Sequence, residues 1–302
     1  MTGCAGGGVC VHPRGGWQLI DTHEIADAPP ARLIRKNKAN VRASVRHLSA
    51  SRAQAWALTR RDFTARYKQT FLGFGWALVL PLLTILVFGV FVQRYAHANT
   101  HGVPYILWSL TGLLTWNFFA NSISYGGQAL LINQSLVNKV YSARQIYPLG
   151  GVLLACIDTA VSFIAFLGAC LITRFVPAAT TYWAPVLLLV AVLFATAVVL
   201  LVSVLVVYVR DLRNIVPFIL QLGLFATPVI YNLQQVASGG YRLAYCFVNP
   251  LAPVIDNLRR TVLFGQQPNF VDLGAGALTS VVLFVVANWV FARFERGIAD
   301  IV

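Results

Sequence analysis

The sequence predicts an all-α polytopic membrane protein: six transmembrane helices, an N-terminal interfacial amphipathic helix, and a re-entrant helical segment before the last span. Three observations carry that fold class. The 302 residues are 58% hydrophobic and 11% charged, whereas roughly a quarter of a soluble domain is charged. The 23 basic and 10 acidic residues could not cover a soluble surface of this size. Second, six apolar runs approach or exceed the roughly 20 helical residues that cross about 30 Å of hydrocarbon. Third, these runs lack the apolar/polar alternation of membrane strands, so their backbone polar groups must be satisfied within helices.

Residues 1–30 are rich in Gly, Pro and short polar residues and have no apolar core run. They are expected to form a mobile tail, not a cleaved signal or lipid-attachment segment. Residues 31–75 form a basic region. Val41, Val45 and Leu48 fall at helical spacing beside Arg42 and Arg46; Phe63, Tyr67 and Phe71 then recur every four residues among Arg60, Arg61, Arg66 and Lys68. That pattern suits a helix lying at a membrane surface, with a soluble helix packed on a partner as the alternative. Twelve of the 23 basic residues precede residue 69, which points to anionic lipid headgroups and away from nucleic acid.

Residues 76–302 are read as the transmembrane domain, with spans at about 76–95, 104–130, 148–173, 183–209, 214–232 and 273–292. No Asp, Glu, Lys or Arg occurs between residues 95 and 138. With a cytoplasmic N-terminus, 18 basic residues lie inside and five outside, which predicts that both termini are cytoplasmic. The stretch 232–272 is too long for a turn and is interrupted by Pro250, Pro253 and Gly265. A re-entrant segment at about 243–266 is expected there, with Asp256, Arg259 and Arg260 facing water or pairing with one another.

Several chemistries are missing. A phosphate loop needs glycines ahead of a Lys-Ser or Lys-Thr, and none of Lys36, Lys38, Lys68 and Lys139 has them. Nucleotide energy must therefore come from another polypeptide. Acids are too scattered to hold a catalytic divalent metal. His97 and His101 fall in a short loop, where chance placement outweighs a metal site. The five cysteines form no disulfide framework or metal spacing. No catalytic residue, metal or cofactor is expected in this chain.

Asp158 stands alone near the middle of the third span, where an ionised carboxylate costs on the order of 3 kcal/mol. It is either a pore-side or inter-helix contact or a neutral acid bonded to a nearby Ser or Thr. The second span is dense in aromatics, with Trp108, Trp116, Phe118, Phe119 and Tyr125. Their faces suit a slide for sugars; ordinary packing is the alternative. Trp183 and Trp289 read as interfacial anchors. Thr227, Pro228 and Tyr231 imply a kink and polar opening at the end of the fifth span.

The run Arg61-Asp62-Phe63, Arg66-Tyr67-Lys68-Gln69-Thr70, Leu72-Gly73, Trp76 and Pro81 resembles the entry to the first span in the membrane subunits of ABC transporter type-2 polysaccharide exporters, the O-antigen and teichoic-acid export permeases. Asn133, Leu136, Val137, Lys139, Arg144 and Pro148, Arg210-Asp211, Thr227-Pro228-Val229 with Tyr231, Asn249-Pro250 with Arg259, and Glu295 with Ala299-Asp300 extend the resemblance to the C-terminus. Ser142-Ala143 departs from it, where members often have Phe-Pro.

The resemblance implies a homodimeric permease in the bacterial cytoplasmic membrane. Two copies of an ATP-binding subunit would use ATP and magnesium, and the cargo would be a polyprenyl-diphosphate-linked polysaccharide. It implies an ATPase-coupling role for Asn133, Leu136, Lys139, Tyr141 and Arg144, and an outer gate after Tyr231. Trp108, Trp116, Phe119, Tyr125, Asp158, Tyr231 and Tyr245 become candidates for the channel and gate. Arg60, Arg61, Arg66 and Lys68 become candidates for the lipid diphosphate or ordinary headgroups. A drug or small-lipid exporter is the alternative within transport, and a membrane-embedded glycosyl or lipid-modifying enzyme the alternative outside it.

Overall fold

The computed structural model describes residues 9–11, 18–20, 52–67, 102–139, 144–236 and 240–301, with isolated helical positions at Gly75, Val79 and Leu83. The chain divides into two units, residues 1–40 and 41–302. In the first, β1 (Val9–Val11) pairs antiparallel with β2 (Gln18–Ile20), Val9 opposite Ile20. Apart from this short hairpin the described elements are helical, in keeping with the expected all-α class. The rest of the 1–30 segment, and the predicted first span apart from Val79 and Leu83, lie outside the described residues.

The second unit is all-helical among its described residues: α1 (Arg52–Tyr67), α2 (Tyr105–Gly126), α3 (Ala129–Ile132), α4 (Gln134–Lys139), α5 (Ile146–Thr173), α6 (Ala184–Tyr208), α7 (Leu212–Ala226), α8 (Leu233–Val236), α9 (Tyr241–Val248), α10 (Leu251–Leu258) and α11 (Phe270–Ile301). A 3₁₀ turn, Ala179–Trp183, leads into α6, and a π-helical turn, Arg259–Leu263, follows α10. Among the described residues three segments are long and apolar enough to cross a membrane: Ile146–Thr173, Ala179–Tyr208 and Phe270–Glu295.

A helix, α2, occupies most of the stretch read as the second span and forms the centre of the core. Leu107, Leu110, Leu113 and Ile123 are buried, and so are Ser109, Thr111, Thr115 and Ser122. Being surrounded by protein, α2 tolerates hydroxyls that a lipid-facing helix would not. They satisfy themselves locally: Thr111 donates to the Trp108 carbonyl at 2.8 Å, Thr115 to Thr111 at 3.0 Å and Ser122 to Phe118 at 2.7 Å. α2 packs on α5 and α6, and α6 on α11. A Cβ on Gly151 would lie 2.5 Å from the Gly126 Cα, and one on Gly126 would lie 2.6 Å from the Pro148 carbonyl oxygen. Glycine at both positions lets the α2 and α5 backbones touch.

The predicted span at 214–232 yields a shorter helix. α7 has 15 residues, about 22 Å at 1.5 Å per residue, and ends where Thr227 turns extended ahead of Pro228. The 243–266 region is two eight-residue helices, α9 and α10, separated at Asn249-Pro250 and followed by the π turn. α1 departs from a free surface helix: Thr59 is buried against Gly150, and Arg66 reaches Asp158. Residue numbers rise together along the two helices, so α1 runs beside α5 in the same direction for about two turns.

Large apolar side chains remain exposed on α5 (Phe163, Ile164, Leu171), on α6 (Leu188, Leu189) and on α11 (Val282, Val286, Trp289). Such belts on the longest helices suit a hydrocarbon solvent.

Candidate functional site

Two polar clusters occupy opposite ends of the helical unit. At the Arg144 end, α1 supplies Arg61 and Arg66. Asp158, on α5, is buried. Its Oδ2 accepts the Tyr125 hydroxyl hydrogen at 3.0 Å and lies 3.6 Å from Arg66 Nη1. The Arg66 guanidinium carbon stands 3.7 Å from the Tyr125 ring centroid, a stack that suits a planar cation. Arg66 keeps 38% of its side chain exposed, so part of its donor set still faces outward.

Arg61, one and a half turns earlier, holds Asp62 at 2.7 Å and also donates from Nη2 to Asn133 Oδ1. Asn133 is buried and donates to the Ala129 carbonyl at 2.9 Å, which fixes its amide between α3 and α4. Arg144 donates through its backbone N to Glu295 Oε1 at 3.4 Å and through its guanidinium to the Glu295 carbonyl. The segment 133–144 is thus tied at its first residue to α1 and at its last to α11. Leu136 is half-buried on the cluster that includes Leu130, Ala287 and Phe291. Arg60 is exposed on α1. Lys68 and Tyr141 lie outside the described residues, and nothing is described of the Lys139 side chain.

The aromatic candidates on α2 divide. Phe119 stacks on Phe194, centroids 5.3 Å apart and planes 5° apart, and Trp116 tilts against Phe119 at 5.6 Å. Trp116 also sits so close to α7 that a Cβ on Gly223 would lie 2.7 Å from its ring. Trp108 belongs to the other end, edge-on to Phe264 at 5.9 Å.

At that end the end of α7 is capped by side chains from elsewhere. Tyr231 donates to the Phe225 carbonyl at 2.7 Å, Tyr245 donates to the Ala226 carbonyl, and Asn249 donates to Thr227 Oγ1 at 2.9 Å. Arg259 overturns the expectation of a water-facing or Asp256-paired charge. It is buried and donates to the Pro228 carbonyl at 3.0 Å. Asp256 pairs with Arg242 instead, at 3.3 Å, and Arg242 also meets Asp272 at 2.6 Å. Burial works against the Arg242 charge, yet the bond to Asp272 and the nearby Asp256 hold its pKa above the ordinary guanidinium value.

Sequence reasoning singled out Arg61, Arg66, Asp158 and Tyr125 separately, without joining them. It missed Thr59, Gly112, the Gly126–Gly151 contact and the Arg242–Asp272 pair. Adjacent glycines at 126–127 and 150–151, inside apolar runs, were the available signal for close helix approach. Among the described residues no group of three or more His, Cys, Asp and Glu could hold a metal ion.

Long apolar helices packed around the buried α2 define a multi-pass membrane protein. The chain belongs to the ABC-2 type transporter family, whose model matches residues 53–263. An O-antigen export system permease protein RfbA of Myxococcus xanthus is 28% identical over 260 residues, 85% of this chain and 98% of that protein. Two permeases of the same name from Klebsiella pneumoniae are 24% and 23% identical over 247 residues, each match covering 81% of this chain and 93% of the relative. The resemblance read from the entry to the first span is thereby shown.

Proposed function

We propose that this chain is the permease subunit of an ATP-driven exporter of a polyprenyl-diphosphate-linked polysaccharide across the bacterial cytoplasmic membrane. The observation that carries the reading is similarity to O-antigen export permeases along nearly their whole length, in a chain whose sequence holds no phosphate loop. Family membership implies an ATP-binding partner. Two copies of this chain enclose the channel; two copies of the partner bind ATP and magnesium on the cytoplasmic side. Six spans, with the first in 76–95 and the fifth including α7, leave both termini cytoplasmic.

The two ends divide the work. Segment 133–144, tied to α1 and α11, receives the motion of the partner. Arg66, oriented by Asp158 and Tyr125, offers its remaining N–H groups to the lipid diphosphate together with Arg60 and Arg61. A polymer cannot be held in a closed pocket, so the exposed aromatic and apolar face of α7 supplies a low-friction wall. The test is reconstitution with the ATP-binding subunit in vesicles. ATP-dependent appearance of lipid-linked glycan on the far side is expected only with both chains present. Export by this chain alone, or no association with an ATP-binding subunit, would overturn the reading.

A further inference from the structure

The Arg259 side chain is 1% exposed and has no carboxylate within 4.0 Å among the described residues. Beyond the more distant field of Asp256, a buried cation of this kind needs dipoles in direct contact with it. Nη1 donates to the carbonyls of Pro228 at 3.0 Å and Tyr231 at 3.2 Å, and Nη2 donates to the carbonyl of Val229. All three acceptors belong to the turn directly after α7. The chain leaves the helix where Thr227 becomes extended, so the carbonyls of this turn lie beyond the α7 hydrogen-bond ladder and need donors from elsewhere. Arg259 supplies those donors, and its positive charge sits at the negative end of the α7 dipole.

The surroundings are built around this side chain. The Trp108 ring lies 4.0 Å from its guanidinium carbon. Gly112, one turn further along α2, leaves the required space: a Cβ there would be 2.7 Å from Arg259 Nη2 and 2.6 Å from the Val229 carbonyl oxygen. The π-helical turn begins at Arg259 itself; the extra residue per turn shifts its direction from that of α10. With Tyr231, Tyr245 and Asn249, Arg259 completes a set of side chains that hold the last carbonyls of α7 and the turn beyond it.

From this geometry we infer that Arg259 is a positioning residue that joins the end of α7 to α9, α10 and the π turn as one moving body. Separating α7 from those helices would strand a desolvated guanidinium and three carbonyls; moving them together breaks none of these bonds. α7 carries an exposed apolar stripe of Ile215, Phe218, Ile219, Leu222 and Phe225. A displacement of α9 and α10 therefore repositions that stripe. The inference rests on the transport reading only for what the motion serves; the clamp itself is testable without a substrate.

The experiment is hydrogen–deuterium exchange on the full chain in lipid nanodiscs, alone and with the ATP-binding subunit, with and without ATP and vanadate. In the unsubstituted protein, peptides covering 218–231 and 241–263 should change protection together between nucleotide states. Arg259→Gln should raise exchange at 229–232 at least tenfold, even in the permease alone, and uncouple the two regions. Arg259→Lys, which keeps the charge and three donors, should restore most of the protection. Independent changes in the unsubstituted protein, or unaltered exchange at 229–232 in Arg259→Gln, would overturn the inference. If Arg259→Gln does not fold, the unsubstituted comparison still decides. Failure of glycan export with normal exchange behaviour would count against the proposed cargo and leave the clamp standing.

Discussion

Arg66 and Asp158 form an ion pair at 3.6 Å between a helix that precedes the first predicted span and a carboxylate twelve residues into α5. The pair explains how a lone acid is accommodated in an apolar helix. Tyr125 and Arg66 share its Oδ2, and Tyr125 stacks beneath the cation.

Asp158→Asn should keep the Tyr125 bond but lose the counter-charge. Removing one partner of a fully buried pair costs about 3–5 kcal/mol. Arg66 is part-exposed, so water offsets some of the loss and about 1–2 kcal/mol is expected. A double-mutant cycle with Arg66→Gln, read by denaturation in detergent, should show coupling between the two positions. Strict additivity would contradict the pairing.

Gly151 should be intolerant of side chains. Gly151→Val places atoms inside the Gly126 backbone and should cost at least about 1–3 kcal/mol, the usual range for overpacking. Gly168→Ala is the control, since nothing lies within 4 Å of a Cβ there; it should be neutral or stabilising through helix propensity. Thermal aggregation midpoints of the two variants distinguish a close crossing from a general need for glycine.

Arg61→Ala and Asn133→Ala remove the same hydrogen bond between α1 and the 133–144 segment. A bond of about 0.5–1.5 kcal/mol corresponds to roughly two- to tenfold in an equilibrium. On the proposed coupling role of segment 133–144, each variant should reduce ATP hydrolysis by the reconstituted complex within that range, and the double variant should reduce it no further. Additive losses would show that the two residues act separately.

Asp272→Asn should be more damaging than Asp256→Asn. Asp272 meets Arg242 at 2.6 Å and accepts from Asn269 Nδ2 at 2.8 Å, whereas Asp256 is 3.3 Å from Arg242. A charge-assisted bond at the shorter distance is worth about 1.5–3 kcal/mol. Protease sensitivity of α9, which Arg242 anchors, reports the difference; equal sensitivity would mean that the two carboxylates share the load.

Much of the fold was legible in composition and periodicity. Apolar runs placed the helices at 105–126, 146–173, 184–208 and 270–301 close to where they form, because long apolar segments have few ways to satisfy their backbone other than helix. The break at Thr227-Pro228 was also legible, since proline removes a donor wherever it falls. The Arg61-to-Lys68 motif pointed to the family without reference to any contact.

Tertiary structure alone decided the partners of the charges. Local spacing suggested that Asp256 would meet Arg259 or Arg260, but burial of Arg259 among three carbonyls left Asp256 to Arg242. Arg66 resembled a free headgroup binder until a residue 92 positions away supplied its counter-ion. Hydrophobicity is read residue by residue along the chain and so determines which segments become helices. Which charge meets which depends on distances between helices, and those are set by close approaches such as Gly126 to Gly151 that no one-dimensional pattern specifies.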